Sequence, residues 1–221
     1  RIRAAIIYAF CRAVDDAVDD APSPAIGKVN AAALQRDLHS EVPSPLHRAV
    51  RRVLGDNPLM LGAADHLITG VVQDTEPVRM ASTADVERYA YHVAGTVGLL
   101  MCGVLGVRDR QALPFAIDLG VGMQLTNICR DVAEDARMGR VYLPADLLVA
   151  EGTSPEALLE GTADSGAVAA VVETLLARAD AFYASADAGL RFLPARVRPA
   201  ILTAAQLYRR IGVKLRREGG N

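Results

Sequence analysis

The feature that most constrains this chain is a pair of acidic stripes set at helical spacing and separated by more than a hundred residues. In residues 124–144, Gln124, Asn127, Asp131 and Asp135 fall at i, i+3, i+7 and i+11, within roughly 60° of one face of a 3.6-residue helix. Val121, Gly122, Leu125, Ile128 and Val132 surround that face, so the spacing predicts a buried helix that turns its acids inward. Near the start, Tyr8, Arg12, Asp15 and Asp19 share a second face, with Asp16 and Asp20 about a quarter turn away. Like charges at i, i+4 repel, and repel more when desolvated, unless a cation lies between them. A solvated helix face explains either stripe taken alone. The amides and arginine sharing these faces favour two helices that oppose each other across a cavity holding hard divalent ions.

Carboxylates plus the Asn127 amide form an oxygen-only donor set, which suits Mg²⁺, with Mn²⁺ as an alternative. Mg²⁺ completes its shell with water and substrate phosphate, so the implied substrate is a phosphate or diphosphate. The other residues that often ligate metals give no such signal. Cys11, Cys102 and Cys129 are odd in number and lack CxxC spacing, and His39, His47, His66 and His92 form no metal-spaced pair. The cysteines read as small buried hydrophobes in a reducing cytosol.

The motifs themselves resemble those of the squalene and phytoene synthase family. The first is Tyr8-Ala-Phe-Cys-Arg-x-x-Asp-Asp-x-x-Asp-Asp20. The second is Gln124-Leu-Thr-Asn-x-x-Arg-Asp-x-x-Glu-Asp-x-x-x-Gly-Arg-x-Tyr-Leu-Pro144, long and gapless. A third is Tyr89-Ala-Tyr-His-Val-Ala-Gly-Thr-Val-Gly98, and the fourth joins Tyr208-Arg-Arg-Ile-Gly-Val-Lys to the Gly-Gly pair ending at Gly220. The match covers nearly the whole chain and is closest to the bacterial phytoene synthase branch.

That resemblance implies a prenyltransferase of isoprenoid and carotenoid biosynthesis, joining two geranylgeranyl diphosphates head to head through a cyclopropyl diphosphate to phytoene, without NADPH. The alternative is a squalene, dehydrosqualene or presqualene diphosphate synthase using two farnesyl diphosphates. A non-catalytic relative acting as an assembly factor is disfavoured, since such relatives lack the aspartates. The metal set implied is Asp15, Asp19, Asn127, Asp131 and Asp135. Tyr89 joins the four aspartates as catalytic, and Tyr8, Arg12, Gln124, Asn127, Arg130 and Tyr208 are expected to bind substrate.

At 221 residues the chain fits one domain, residues 1–221. Hydrophobic residues make up 51% but aromatics only 5%, with no Trp, which favours smooth aliphatic helix packing. No Gly-x-Gly-x-x-Gly, period-2 alternation or internal repeat is present. The expected fold is therefore all-α, a single-domain helical bundle of the isoprenoid-synthase type around a central cavity. A net charge of -2 excludes a basic field for nucleic acid. The longest uncharged run, 93–107, has 15 residues, short of the roughly 20 needed to span a bilayer. The expected location is the cytoplasm, with peripheral membrane contact and oligomeric state left open. Arg1 opens inside a helical pattern, which reads as a fragment lacking a first helix and a C-terminal tail.

Individual elements follow from local signals. One helix is expected over 1–20, a short one over 30–40, one over 59–73 and one from Ser82, capped with Asp85, to Gly106. A single helix is expected over 110–136, a short one starting at Thr153 or Ser154, one over 167–188, and a last from Pro194 with a kink at Pro199. Gly95, Gly98 and Gly103 inside the fourth helix each cost about 1 kcal/mol against Ala. Close helix contact and room for an apolar substrate are the two offsets, and the family resemblance favours the second. Asp74 resembles an aspartate that family members place near the cavity mouth, but the pattern around it departs from the family's, and it reads as a surface residue.

Overall fold

The computed structural model describes residues 2–55 and 57–219; the expectations at Arg1 and Gly220 lie outside them. The helices are α1 (Ile2–Asp19), α2 (Pro24–Leu38), α3 (Pro45–Leu54), α4 (Pro58–Val72), α5 (Thr83–Ala90), α6 (Thr96–Leu105), α7 (Leu113–Arg130), α8 (Val132–Arg137), α9 (Ala145–Ala150), α10 (Pro155–Glu160), α11 (Ser165–Gly189) and α12 (Arg198–Arg217). A π-helical turn, Tyr91–Gly95, joins α5 to α6 without a break. Among the described residues there is no β-strand, only an isolated bridge between Arg79 and Val141. The all-α expectation holds.

Proline and its capping partner start four of these helices. Ser23, Ser44, Asn57 and Ser154 each accept a first-turn N–H with Pro next in sequence, where the missing proline N–H has no bond to lose. α12 begins at Arg198, four residues later than the sequence suggested, with Pro199 in its first turn, where it does not kink the helix. Pro24 starts α2 well before residue 30. Ser82 and Asp85 close the expected capping box. The helix expected over 110–136 is two helices, because the backbone at Asp131 leaves helical geometry (φ -102°, ψ 11°).

Two apolar cores lie side by side. One gathers α1, α3, α4 and α6 around Phe10, Val50, Ala64 and Leu100; the other gathers α5, α7, α11 and α12 around Val86, Leu125, Leu175 and Tyr183. Val93 and Ile117 pack against both, so the π turn and α7 form the seam. Arg110–Arg130 is long and apolar enough to cross a membrane by length and composition. Its helix α7 is instead the central element of this bundle, packed on α6, α11 and α12.

Backbone contact across the seam accounts for Gly98 and Gly120. A Cβ on Gly98 would stand 2.1 Å from the Ala116 carbonyl oxygen, and one on Gly120 2.2 Å from that of Ala94. Close helix contact is therefore the offset at Gly98, while Gly106 supplies the left-handed end of α6 at φ +73°. Gly98→Ala is expected to destabilise the fold by about 1–3 kcal/mol, since the obstacle is backbone and cannot rotate away. Urea unfolding of the variant beside wild type checks this; an unchanged midpoint would mean the helices separate freely.

Candidate active site

A cavity of ≈ 300 Å³ opens between α6, α7, the end of α11 and α12. Its lining is aliphatic or aromatic over most of its length, including Val97, Met101, Phe115 and Leu119, and its polar side chains are Gln124, Asn127 and Tyr208. These three are at the C-terminal end of α7 and the facing part of α12, so the cavity is polar at one end and apolar at the other. Asp131 follows Asn127 by one turn, its N–H donating to the Asn127 carbonyl at 2.9 Å.

Between the polar end and α1, Asp74 organises a cluster. Tyr89 and Tyr142 each donate a hydroxyl hydrogen bond to its carboxylate, at 2.8 and 2.7 Å, and their rings stack with centroids 4.9 Å apart. Arg140 donates to Asp19 at 3.1 Å and to the Asp74 carbonyl oxygen at 3.5 Å, which ties the first stripe to the loop after the second. The pairing that makes this possible is long-range: the Val141 N–H donates to Val78 and the Ala145 N–H to Met80, bringing Tyr142 beside Tyr89. Asp74 is thus a half-buried hub and not the surface residue expected from sequence.

Crowded, desolvated carboxylates shift as electrostatics requires. Burial first, then the neighbouring Asp19, Asp16 and Asp74, pushes Asp15 up to about 6 against the pull of Arg12. Burial, then Asp131, with smaller contributions from Asp74 and Glu134, pushes Asp135 up to about 6 despite Arg140. Burial raises Asp74 as well, although both tyrosine hydrogen bonds favour its charged form. Both stripes therefore feel the same Asp74. Burial next to that carboxylate also drives the Tyr89 and Tyr142 hydroxyls well above the ordinary phenol range, so both stay protonated.

The remaining sequence-derived residues are divided. Arg12 pairs with Asp16 at 2.5 Å, and Arg130 grips Asp131 at 2.6 and 2.7 Å, so both arginines border the acids. Tyr8 lies on the outer run of α1, 69% exposed, and touches neither the cavity nor the Asp74 cluster in any hydrogen bond. Asp74, Arg140 and Tyr142 are the site residues that the sequence reading did not select. The second motif's Gly-Arg-x-Tyr-Leu-Pro ending already contained two of them.

The side chains present fit a hard divalent cation on two observations. Asn127 Oδ1 is buried with no hydrogen-bond partner, an acceptor aimed at something the protein does not supply. The like-charge crowding at Asp15 and Asp135 is the kind that a cation relieves. Among the described residues no three His, Cys, Asp or Glu side chains converge as a ready-made metal cage, which is the usual condition of Mg²⁺ sites completed by substrate phosphate.

Fold and site together define an all-α enzyme with an acid-rich mouth over an apolar cavity. The squalene/phytoene synthase family model matches residues 1–221. The 15-cis-phytoene synthase of Enterobacter agglomerans is 39% identical over 227 residues, covering 97% of this chain and 76% of that protein. The phytoene synthase of Rhodobacter capsulatus is 38% identical, covering 95% of this chain and 63% of that protein. Among solved structures, a dehydrosqualene synthase in complex with ligand superposes with a TM-score of 0.85 at 31% identity, covering 97% of this chain and 76% of that one. The squalene synthase HpnC of Alicyclobacillus acidocaldarius shares the fold, with a TM-score of 0.87 at 22% identity, covering 99% and 84%. The chain belongs to the squalene/phytoene synthase family.

Proposed function

We propose that this prenyltransferase condenses two geranylgeranyl diphosphates head to head to phytoene through a cyclopropyl diphosphate, with Mg²⁺ held by Asp15, Asp19, Asn127, Asp131 and Asp135. Family membership, with several phytoene synthases 36–40% identical, supports the reaction class. The observation that carries the site assignment is the cavity whose polar lining, Gln124, Asn127 and Tyr208, meets the acids at one end. Bound Mg²⁺ supplies Lewis-acid stabilisation of the departing diphosphate.

The protein's own residues do the rest. Arg12, Arg130 and Arg140 stand beside the acids and add positive charge for the leaving group. The hydrocarbon tail enters the apolar cavity, which keeps water from the allylic cation formed when the C–O bond breaks. Tyr208, on the cavity wall at its polar end, orients substrate, and Tyr89, held by Asp74 in the adjoining cluster, keeps a neutral hydroxyl that does not quench the cation as a charged base would. The final cation is relieved by loss of a proton to an oxygen of the released diphosphate, so no hydride donor is required.

The test is kcat/KM on geranylgeranyl and farnesyl diphosphates, each with Mg²⁺ and with excess EDTA. Preference for the longer substrate, abolished by chelation and restored by Mg²⁺, is the expected outcome. Full turnover in EDTA sinks the metal assignment, and preference for farnesyl diphosphate supports the squalene-type alternative.

A further inference from the structure

The net charge of -2 conceals a separation of charge along the bundle. α1, α4 and α7, of 18, 15 and 18 residues, all end beside the acids, at Asp19, next to Asp74 and next to Asp131. Their starts meet at the opposite end. Arg3, in the first turn of α1, donates to the carbonyls of Val53 and Gly103 at 2.7 and 3.3 Å, which ties it to the ends of α3 and α6. The start of α4 and residues 107–110 line one surface pocket together with Leu113 of α7. Phe115, in the first turn of α7, stacks on Phe192 of the turn between α11 and α12, ring centroids 5.7 Å apart. At 1.5 Å per residue these helices separate the two ends of the bundle by about 22–27 Å.

The end away from the acids is basic. Arg52, Arg108, Arg110, Arg191, Arg196 and Arg198 are exposed there. The acids in residues 51–60, 103–112 and 190–200 are Asp56 and Asp109, and Asp109 caps the Gln111 N–H at 2.9 Å. Among the described residues none of the six arginines pairs with a carboxylate. Beside the acid cluster the opposite holds, since Arg12, Arg130 and Arg140 are paired with Asp16, Asp131 and Asp19. Apolar side chains lie among the unpaired arginines: Leu59 at the start of α4 is 39% exposed and Leu202, one turn into α12, is 41% exposed. The apolar lining of the cavity reaches the same end through Leu105, Ala112, Leu190 and Leu193.

We propose that this arginine-rich end is a docking face for an anionic lipid bilayer, which the protein meets end-on. Cations with apolar side chains between them suit a lipid interface, where the cations meet headgroup phosphates and the apolar groups enter the acyl boundary. End-on docking also explains why a net negative charge does not oppose binding. The acids then stand about 22–27 Å from the surface, against a Debye length of about 8 Å at physiological ionic strength, so their repulsion is screened while the attraction of the arginines is not. The docking is separate from the reaction proposed above and is measured without substrate.

The experiment is sedimentation with phosphatidylcholine vesicles, with and without phosphatidylglycerol, with thermal melts to confirm folding. Wild type is compared with a combined Arg108→Glu, Arg110→Glu, Arg196→Glu variant, with each single reversal, and with a control carrying Arg36→Glu, Arg210→Glu and Arg217→Glu. The control makes the same change of charge at exposed positions outside that end. Arg108, Arg110 and Arg196 make no side-chain hydrogen bond among the described residues, so their reversal should leave the melts unchanged. Wild type is expected to partition onto the phosphatidylglycerol vesicles at least about tenfold more strongly than onto phosphatidylcholine alone, and to be released by salt. The combined reversal should lower that partitioning at least about tenfold and each single reversal roughly fivefold, the effect of about one cation at an anionic surface. The control should bind as wild type does. If the combined variant does not fold, the single reversals carry the test. Wild type that is indifferent to phosphatidylglycerol, or a control as impaired as the combined variant, overturns the docking face. Wild type that binds heparin but neither kind of vesicle overturns the lipid assignment in favour of a soluble polyanion.

Discussion

Asp135→Asn is expected to cut turnover by at least roughly 100-fold, about 2.7 kcal/mol in barrier, while leaving the metal-free protein as stable as wild type or more so. The two effects have opposite signs because the carboxylate is costly in the free protein and needed in the loaded one. Burial and Asp131 raise Asp135 to about 6, against about 3.9 in an unfolded chain. A raised carboxylate means that the native state holds the proton more tightly. Its contribution to stability is present in full below about pH 4 and is lost as pH rises through about 6. Asp15 behaves in the same way. Metal-free wild type should therefore lose stability from pH 4 to 7 more steeply than Asp135→Asn, and added Mg²⁺ should stabilise wild type and not the variant. Melting curves at several pH values, with EDTA or Mg²⁺, check this. A variant that is less stable at pH 7 without metal and still active would make Asp135 a structural residue.

Asp74→Ala is expected to damage stability and activity together. Removing the carboxylate leaves the Tyr89 and Tyr142 hydroxyls with only each other, 3.3 Å apart, in a buried stack. Two lost hydrogen bonds to a charged acceptor, less the relief of burying that charge, come to roughly 2 kcal/mol of destabilisation. Tyr89→Phe removes one of the two bonds without opening a cavity and should cost less in stability than Asp74→Ala. Urea unfolding and turnover on the three proteins provide the comparison. An Asp74→Ala protein with the wild-type midpoint would remove Asp74 from its place as the hub.

Periodicity alone exposed much of this arrangement. The spacing of Gln124 and Asn127 put them on one face of a helix, and both line the cavity, as does Tyr208 from the last helix. Ser82 and Asp85 announced their capping box because a cap is a local contact. The features that escaped depend on residues distant in sequence. Asp74 looked like a surface residue because its partners Tyr89 and Tyr142 are 15 and 68 residues away. They reach it only after residues 78–80 pair with the loop after α8. The break at Asp131 was invisible for another reason: the acidic spacing continues through it, and no Gly or Pro marks it. The glycines of α6 were legible as a cost with two offsets, close helix contact or room for a substrate, and at Gly98 only the structure chooses between them, because the opposing carbonyl of Ala116 belongs to another helix.

The most direct test of the account is the product formed from geranylgeranyl diphosphate and Mg²⁺ by the purified protein, with and without NADPH. The account predicts the same forty-carbon hydrocarbon, phytoene, in both reactions, at the same rate. A hydrocarbon that forms only with NADPH, or turnover confined to farnesyl diphosphate, would contradict it.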